Sequence, residues 1–260
     1  MTAAGYARVP PRRLFLHQLR NEQLVFWRSR EAAFFIFVFP LLLFLLLGSV
    51  YTGTIYGVPA PQALLAGLLG YGCANTAFAG LAIQLVLRRE SGILKRLRAT
   101  PLPPALYIAT LLVSTLVVFL LQTVALFVLG RLLQSTPFPG THTAALAAVV
   151  VLGAACFAAL GVAISSVIRS GDGSSAVVNF ILLPMAFLTG SFGPTRHYPA
   201  VLRAVGDVLP LKYFIQLVNA VYLHGEAFWS KPEAILILSA WGLFGVIFAS
   251  RRFGWEPRER

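Results

Sequence analysis

"RRESGILKRLRATPLPP", residues 88–104, crowds Arg88, Arg89, Glu90, Lys95, Arg96 and Arg98 into one short block. On each side lies an apolar run, 62–87 before it and 105–130 after it, long enough to cross a hydrocarbon core of about 30 Å as a helix. Further runs at 33–52, 143–168, 175–193 and 233–250 bring the expected number of spans to six. The 260 residues are 58% hydrophobic and 12% charged, with a mean hydropathy of +0.78. A soluble domain carries roughly 25% charged residues, so the fold class is an all-α, multi-pass membrane protein.

The net charge of +12 is distributed by topology. With a cytoplasmic start and six spans, sixteen Lys and Arg residues fall in inside segments and five outside, as the positive-inside rule requires. The stretch "VLPLKYFIQLVNAVYLHG", 208–225, is broken by Pro210 and Lys212; its apolar part is shorter than a bilayer, which suits a re-entrant or interfacial helix. A seventh span there would place Arg251, Arg252, Arg258 and Arg260 outside. Both termini are therefore expected in the cytoplasm, with 1–32 as an N-terminal segment, 33–250 as one membrane domain and 251–260 as a tail. Lys and Arg sit between spans and form no continuous basic face, so nucleic acid is not an expected partner.

Within the N-terminal segment, "PRRLFLH" at 11–17 has the residue order of a twin-arginine export signal, but about fifteen mixed residues separate it from the first apolar run. The expectation is an uncleaved first helix. Residues 12–30 read as an interfacial amphipathic helix, with Phe15, Leu16, Leu19, Phe26 and Trp27 on one side and Gln18, Asn21 and Arg28 on the other. Pro40 interrupts the first span, which a membrane helix tolerates when neighbours bond the freed carbonyl.

Chemistry-bearing motifs are missing from the sequence: no phosphate-binding loop, no His-Glu-x-x-His metal site and no Gly-x-Ser-x-Gly nucleophile elbow. Cys73 and Cys156 lie in apolar runs without ligand spacing, and the four histidines are scattered near segment ends. An intramembrane enzyme or a scaffold is the rival class, and no catalytic cluster favours it. The polar residues inside spans include Asn75, Thr76, Gln84, Gln122, Thr123 and Asn179. Asn75, Gln84, Gln122 and Asn179 have two readings: they line a path for a partly polar substrate, or they hydrogen-bond between helices at about 1 kcal/mol each. Small pairs such as Ala154/Ala158, with Gly67, Gly70 and Gly72, permit close helix approach within the chain or between copies.

The opening block asks for more than a stop-transfer role. Pro101, Pro103 and Pro104 end it, and Ser91-Gly92 breaks it from the preceding span. Between these breaks Ile93, Leu94 and Leu97 share one helical face while Arg89, Lys95 and Arg96 point elsewhere, which predicts a short amphipathic helix. Taken with its neighbours, the stretch resembles a signature of the ABC transporter type-2 permeases, the membrane subunits of bacterial exporters for drugs, lipids and surface glycans. In "RESGILKRLRATPLP", Arg89, Glu90, Gly92, Leu97, Thr100 and Pro101 match the family's pattern, and Ile93 stands where Thr is frequent. "LTGSFGP" at 188–194 and "VLPLKYF" at 208–214 are similar to a second pair of motifs, with Leu209 in place of an Asn and Gly193 where Phe is common. The resemblance runs over about residues 15–250.

The resemblance implies that 88–100 is a coupling helix seated in a groove of a separate ATPase, with Arg89, Glu90, Gly92, Ile93, Leu94, Leu97, Arg98, Thr100 and Pro101 as its residues. Residues 194–225 become an extracellular re-entrant hairpin, marked by Gly190, Pro194, Pro210 and Tyr213. Two copies of the ATPase would bind ATP and Mg, with no cofactor on this chain, and a second permease, identical or related, would complete the path. Membrane lipids are the remaining partners, with anionic headgroups facing the basic residues. The implied activity is export of an amphipathic or hydrophobic compound, a drug or antibiotic, across the bacterial cytoplasmic membrane. A lipid or lipid-linked glycan is the alternative cargo.

Overall fold

The computed structural model describes residues 10–51, 53–55, 57–100 and 102–255. Helix α1 is Pro11–Arg28. It leads into α2, Arg30–Val50, and a two-stranded antiparallel ribbon, Thr54–Ile55 with Val58–Pro59. Next come α3 (Ala60–Glu90), the short α4 (Ile93–Arg98), α5 (Pro104–Gln134), α6 (Gly140–Ser165) and α7 (Ser174–Leu188). A helical hairpin, α8 (Ala200–Val208) and α9 (Pro210–Tyr222), precedes α10, Pro232–Arg252.

Among the described residues, α2, α3, α5, α6 and α10 are long and apolar enough to cross a membrane. The expected span at 175–193 is the 15-residue helix α7, about 22 Å long at 1.5 Å per residue and short of a full crossing by itself. Helix α9, with 13 residues, reaches only about 20 Å, less than a hydrocarbon core by itself. Pro210 at its first turn and Leu209 in extended conformation before it set the sharp reversal from α8.

Helix α3 is the axis. Its apolar stretch is almost entirely buried, against α2, α5, α6 and α9, whereas α2 and α10 keep most of their surface outward. Small residues make these contacts possible within the chain. A Cβ on Gly161 of α6 would sit 2.8 Å from the Ala77 carbonyl of α3, and one on Gly67 would sit 2.5 Å from the Ser191 carbonyl. Ala154 and Ala158 are buried in the same core. Close approach of backbones is what small residues permit where helices share a hydrocarbon surround.

Candidate functional site

Two ends of the bundle are defined by hydrogen bonds. At one end α1, the last turn of α3, α4 and the first turn of α5 meet. The Arg88 guanidinium donates to both carboxylate oxygens of Glu22, at 2.9 and 2.6 Å, and to the Tyr107 hydroxyl at 2.7 Å. Gln18 Nε2 donates to the same carboxylate at 2.8 Å, and Glu22 is only 4% exposed. Farther along α1, Gln23 Nε2 donates to the carbonyl and hydroxyl of Ser114 on α5, at 2.9 and 2.8 Å. Helix α1 is therefore fastened to the bundle by a paired charge and an amide, on the side that carries Gln18, Glu22 and Gln23, while Leu16 and Trp27 of its expected apolar face stay exposed.

Arg89, expected by resemblance among the residues that meet a separate ATPase, is instead turned into its own chain. It is 3% exposed; its guanidinium donates to the carbonyl of Ser165, at 2.8 Å, and to that of Ile168. These carbonyls close the C-terminus of α6, where orphan acceptors and the negative end of the helix dipole both favour a cation. Glu90 completes the set, its Oε2 accepting the Gly171 N–H at 2.6 Å. Three consecutive charges thus reach four places: α1, the first turn of α5, the end of α6 and the loop before α7.

The chain then breaks where Ser91-Gly92 predicted. Gly92 takes φ +71°, and its N–H bonds the Arg89 carbonyl, a left-handed residue closing a helix as glycine does most readily. Helix α4 has the expected apolar face, but that face turns inward. Leu94 is fully buried and Leu97 packs partly against the same core. They seat α4 on its own chain, which removes Leu94 from any outside docking surface. What α4 presents outward is Ile93, 40% exposed, with Lys95, Arg96 and Arg98, then Ala99 and Thr100. Arg96 donates to the Ser91 carbonyl at 3.1 Å, and the Thr100 hydroxyl to that of Leu97 at 2.6 Å. Pro101 lies outside the described residues.

The intramembrane polar residues split. Pro40 cannot donate to the Ile36 carbonyl; Gln122 Nε2 of α5 does so instead, at 3.0 Å, while its Oε1 accepts the Thr76 hydroxyl at 3.1 Å. One residue earlier, α2 widens into a π-helical turn at Phe34–Val38, with the Phe39 N–H reaching back to Phe34. That leaves the Phe35 carbonyl to Asn75 Nδ2, at 2.9 Å, on a second π-helical turn, Ala74–Gly80 of α3. Asn75 and Gln122 are thus brought together as backbone caps joining three helices. Gln84 is half-buried on α3, and Asn179 is exposed on α7 and bonds its own helix at Ser175. The four residues do not assemble as one path.

At the opposite end the hairpin is held by its own side chains. Gly190, at φ +86°, turns the chain after α7 toward the half-buried Pro194. Pro210 is buried, and with Leu209 in place of Asn the start of α9 has no side-chain cap. The Tyr213 hydroxyl donates to the Asp207 carbonyl at 2.6 Å, and the Trp241 indole to that of Val208 at 3.1 Å. These bonds serve the last carbonyls of α8, a second way of closing the turn. Lys212 pairs with Asp207, and the Tyr222 hydroxyl bonds Pro137 beyond the end of α5 at 3.0 Å.

The sequence reading missed Glu22, Tyr107 and Ser114. A signal existed for Glu22, the single acid in the basic, amphipathic stretch 12–30. Among the described residues no group of His, Cys, Asp and Glu could hold a metal ion.

Residues 13–223 match the family model described as ABC-2 type transporter. A protein of Bacillus subtilis (strain 168) named as a transport permease, YvfS, is 22% identical over 224 residues, 86% of each chain. The inner membrane transport permease YhhJ of Escherichia coli (strain K12) is 23% identical over 167 residues, 63% of this chain and 44% of that one. A matched region that starts in α1 and ends just beyond α9 takes in the strut residues, α4 and the hairpin. The chain belongs to the ABC-2 type transporter family.

Proposed function

We propose that this chain is the permease subunit of an ATP-driven exporter that moves an amphipathic or hydrophobic compound outward across the bacterial cytoplasmic membrane. The observation that carries the reading is α4. It is seated on its own bundle by Leu94 and Leu97 and flanked by the struts of Arg88, Arg89 and Glu90, while Ile93, Lys95, Arg96 and Arg98 stay outward. A helix fixed to the membrane domain on one side and open on the other is suited to receive motion from a separate subunit. Its partner would be an ABC ATPase, two copies of which hold ATP and Mg.

The topology in this reading has six crossings, with α7 as a short fifth one and both termini cytoplasmic. The basic end carrying α1 and α4 faces the cytoplasm, and the α8–α9 hairpin faces outward. Two such permeases enclose the path between them. When the ATPases close, α4 moves with its strut-linked neighbours, and α1, α3 and the end of α6 shift as one body against the second permease.

The test is co-purification with an ABC ATPase co-expressed from the same genome. Ile93→Asp is expected to abolish assembly without lowering the melting temperature of the permease. Wild-type assembly by Ile93→Asp would overturn the docking surface.

A further inference from the structure

We propose that the hairpin end of the molecule carries a binding site for an amphipathic organic anion bearing a hydrogen-bond donor, for which an N-acyl amino acid is the simplest chemical pattern. A cavity of about 310 Å³ lies between the β-ribbon, the first turn of α3, the loop after α7 and α9. That volume is at the small end of the range for sites that enclose small ligands. Its apolar wall is made by Ile55, Leu64, Ile215 and Leu223, the first three of them buried. Lys212, Thr189 and Thr195 are shared with a second recess of about 370 Å³, which adds Arg203 and Asp207. The two spaces form an apolar chamber opening into a polar vestibule with two cations against one carboxylate.

Asn219 supplies a further constraint. Its Oδ1 is buried and has no hydrogen-bond partner among the described residues, while its main-chain carbonyl is occupied by the N–H groups of Leu223 and His224. Asn219 lines the cavity; its Oδ1 is covered in this conformation, and a turn of the side chain would aim it at a guest's N–H or O–H. The Trp241 bond to Val208 sets the α8–α9 turn about 14 Å along α10 from Pro232, at 1.5 Å per residue. The Asp207–Lys212 pair in the vestibule is partly exposed, and such groups face water or a polar guest rather than acyl chains. An apolar body against Ile215, a donor to Asn219 and an anionic group toward Lys212 and Arg203 together describe the guest. What the site is for rests on the exporter reading, since a cavity beside the outward end of the path is where cargo would pause. That it binds does not.

The experiment is calorimetric titration of the full chain, in nanodiscs of neutral phosphatidylcholine and without ATP or ATPase, against empty discs. N-octanoylglycine is expected to occupy one saturable site per chain. N-octanoylsarcosine, which lacks the amide donor, should bind about tenfold more weakly, and Asn219→Leu should erase that difference. Lys212→Met, at a partly exposed position, should weaken the anion by about tenfold. Ala63→Trp, filling the chamber, should remove binding, with melting temperatures checked for each variant. Heats equal to those of empty discs, equal binding of cationic octanoylcholine, or unchanged binding in Ala63→Trp would each overturn the site. None of these outcomes touches assembly with the ATPase, so the two readings fail separately.

Discussion

Within one basic stretch, the charges of Arg88–Glu90 and those of Lys95, Arg96 and Arg98 have opposite fates. The first three side chains reach into the protein, to Glu22 and Tyr107, to the end of α6 and to the Gly171 amide. The second set lies on the far side of the Gly92 break and stays at the surface. What separates them is the available partners. Arg88 and Arg89 still lie on α3, whose neighbours offer a carboxylate and unfilled helix-end carbonyls. After the turn, only the apolar side of α4 faces the bundle. Charge in the inner set maintains architecture, and charge in the outer set is free to meet another molecule.

Breaking the inner set should be costly. Arg88→Met leaves Glu22 buried and uncompensated, with an expected loss of about 3–5 kcal/mol. It should appear as a large drop in the thermal midpoint of the purified permease, partly recovered by adding Glu22→Gln. Arg89→Met strips a donor from the carbonyls of Ser165 and Ile168, for about 2 kcal/mol, and hydrogen exchange should rise selectively at the end of α6. A control outside the basic stretch is Gln122→Leu, which orphans the Ile36 carbonyl. Its expected cost is about 1 kcal/mol, read in the same melting assay. Lys95→Glu combined with Arg98→Glu should change stability by less than about 0.5 kcal/mol, because both residues are exposed. A melting loss as large as that of Arg88→Met would erase the distinction between the two sets.

Much of the architecture was legible from elementary patterns. Apolar length marked α2, α3, α5, α6 and α10, and proline with glycine bounded α4. The interruption at Pro210 and the shortness of the apolar run after it marked α9 as a short helix. Pro40 announced a need for outside hydrogen bonds, and Asn75 and Gln122 meet it. The direction in which α4 turns was not legible. An apolar helical face says that it will be covered, and Leu94 is covered by its own chain. Nor was Arg89, because its partners are main-chain carbonyls, which every residue carries and no sequence pattern marks. Glu22 meets Arg88 across 66 residues, a pairing set by how α1 lies along α5.

The central claim is that the outward side of α4 transmits a separate subunit's work while its inward side holds it to the membrane domain. The direct measurement is ATP hydrolysis by the co-purified permease–ATPase complex in proteoliposomes, comparing Ile93→Asp with the wild type. The account predicts a permease that melts as the wild type does and neither retains the ATPase nor supports substrate-stimulated hydrolysis. Retention of both at wild-type levels would contradict it.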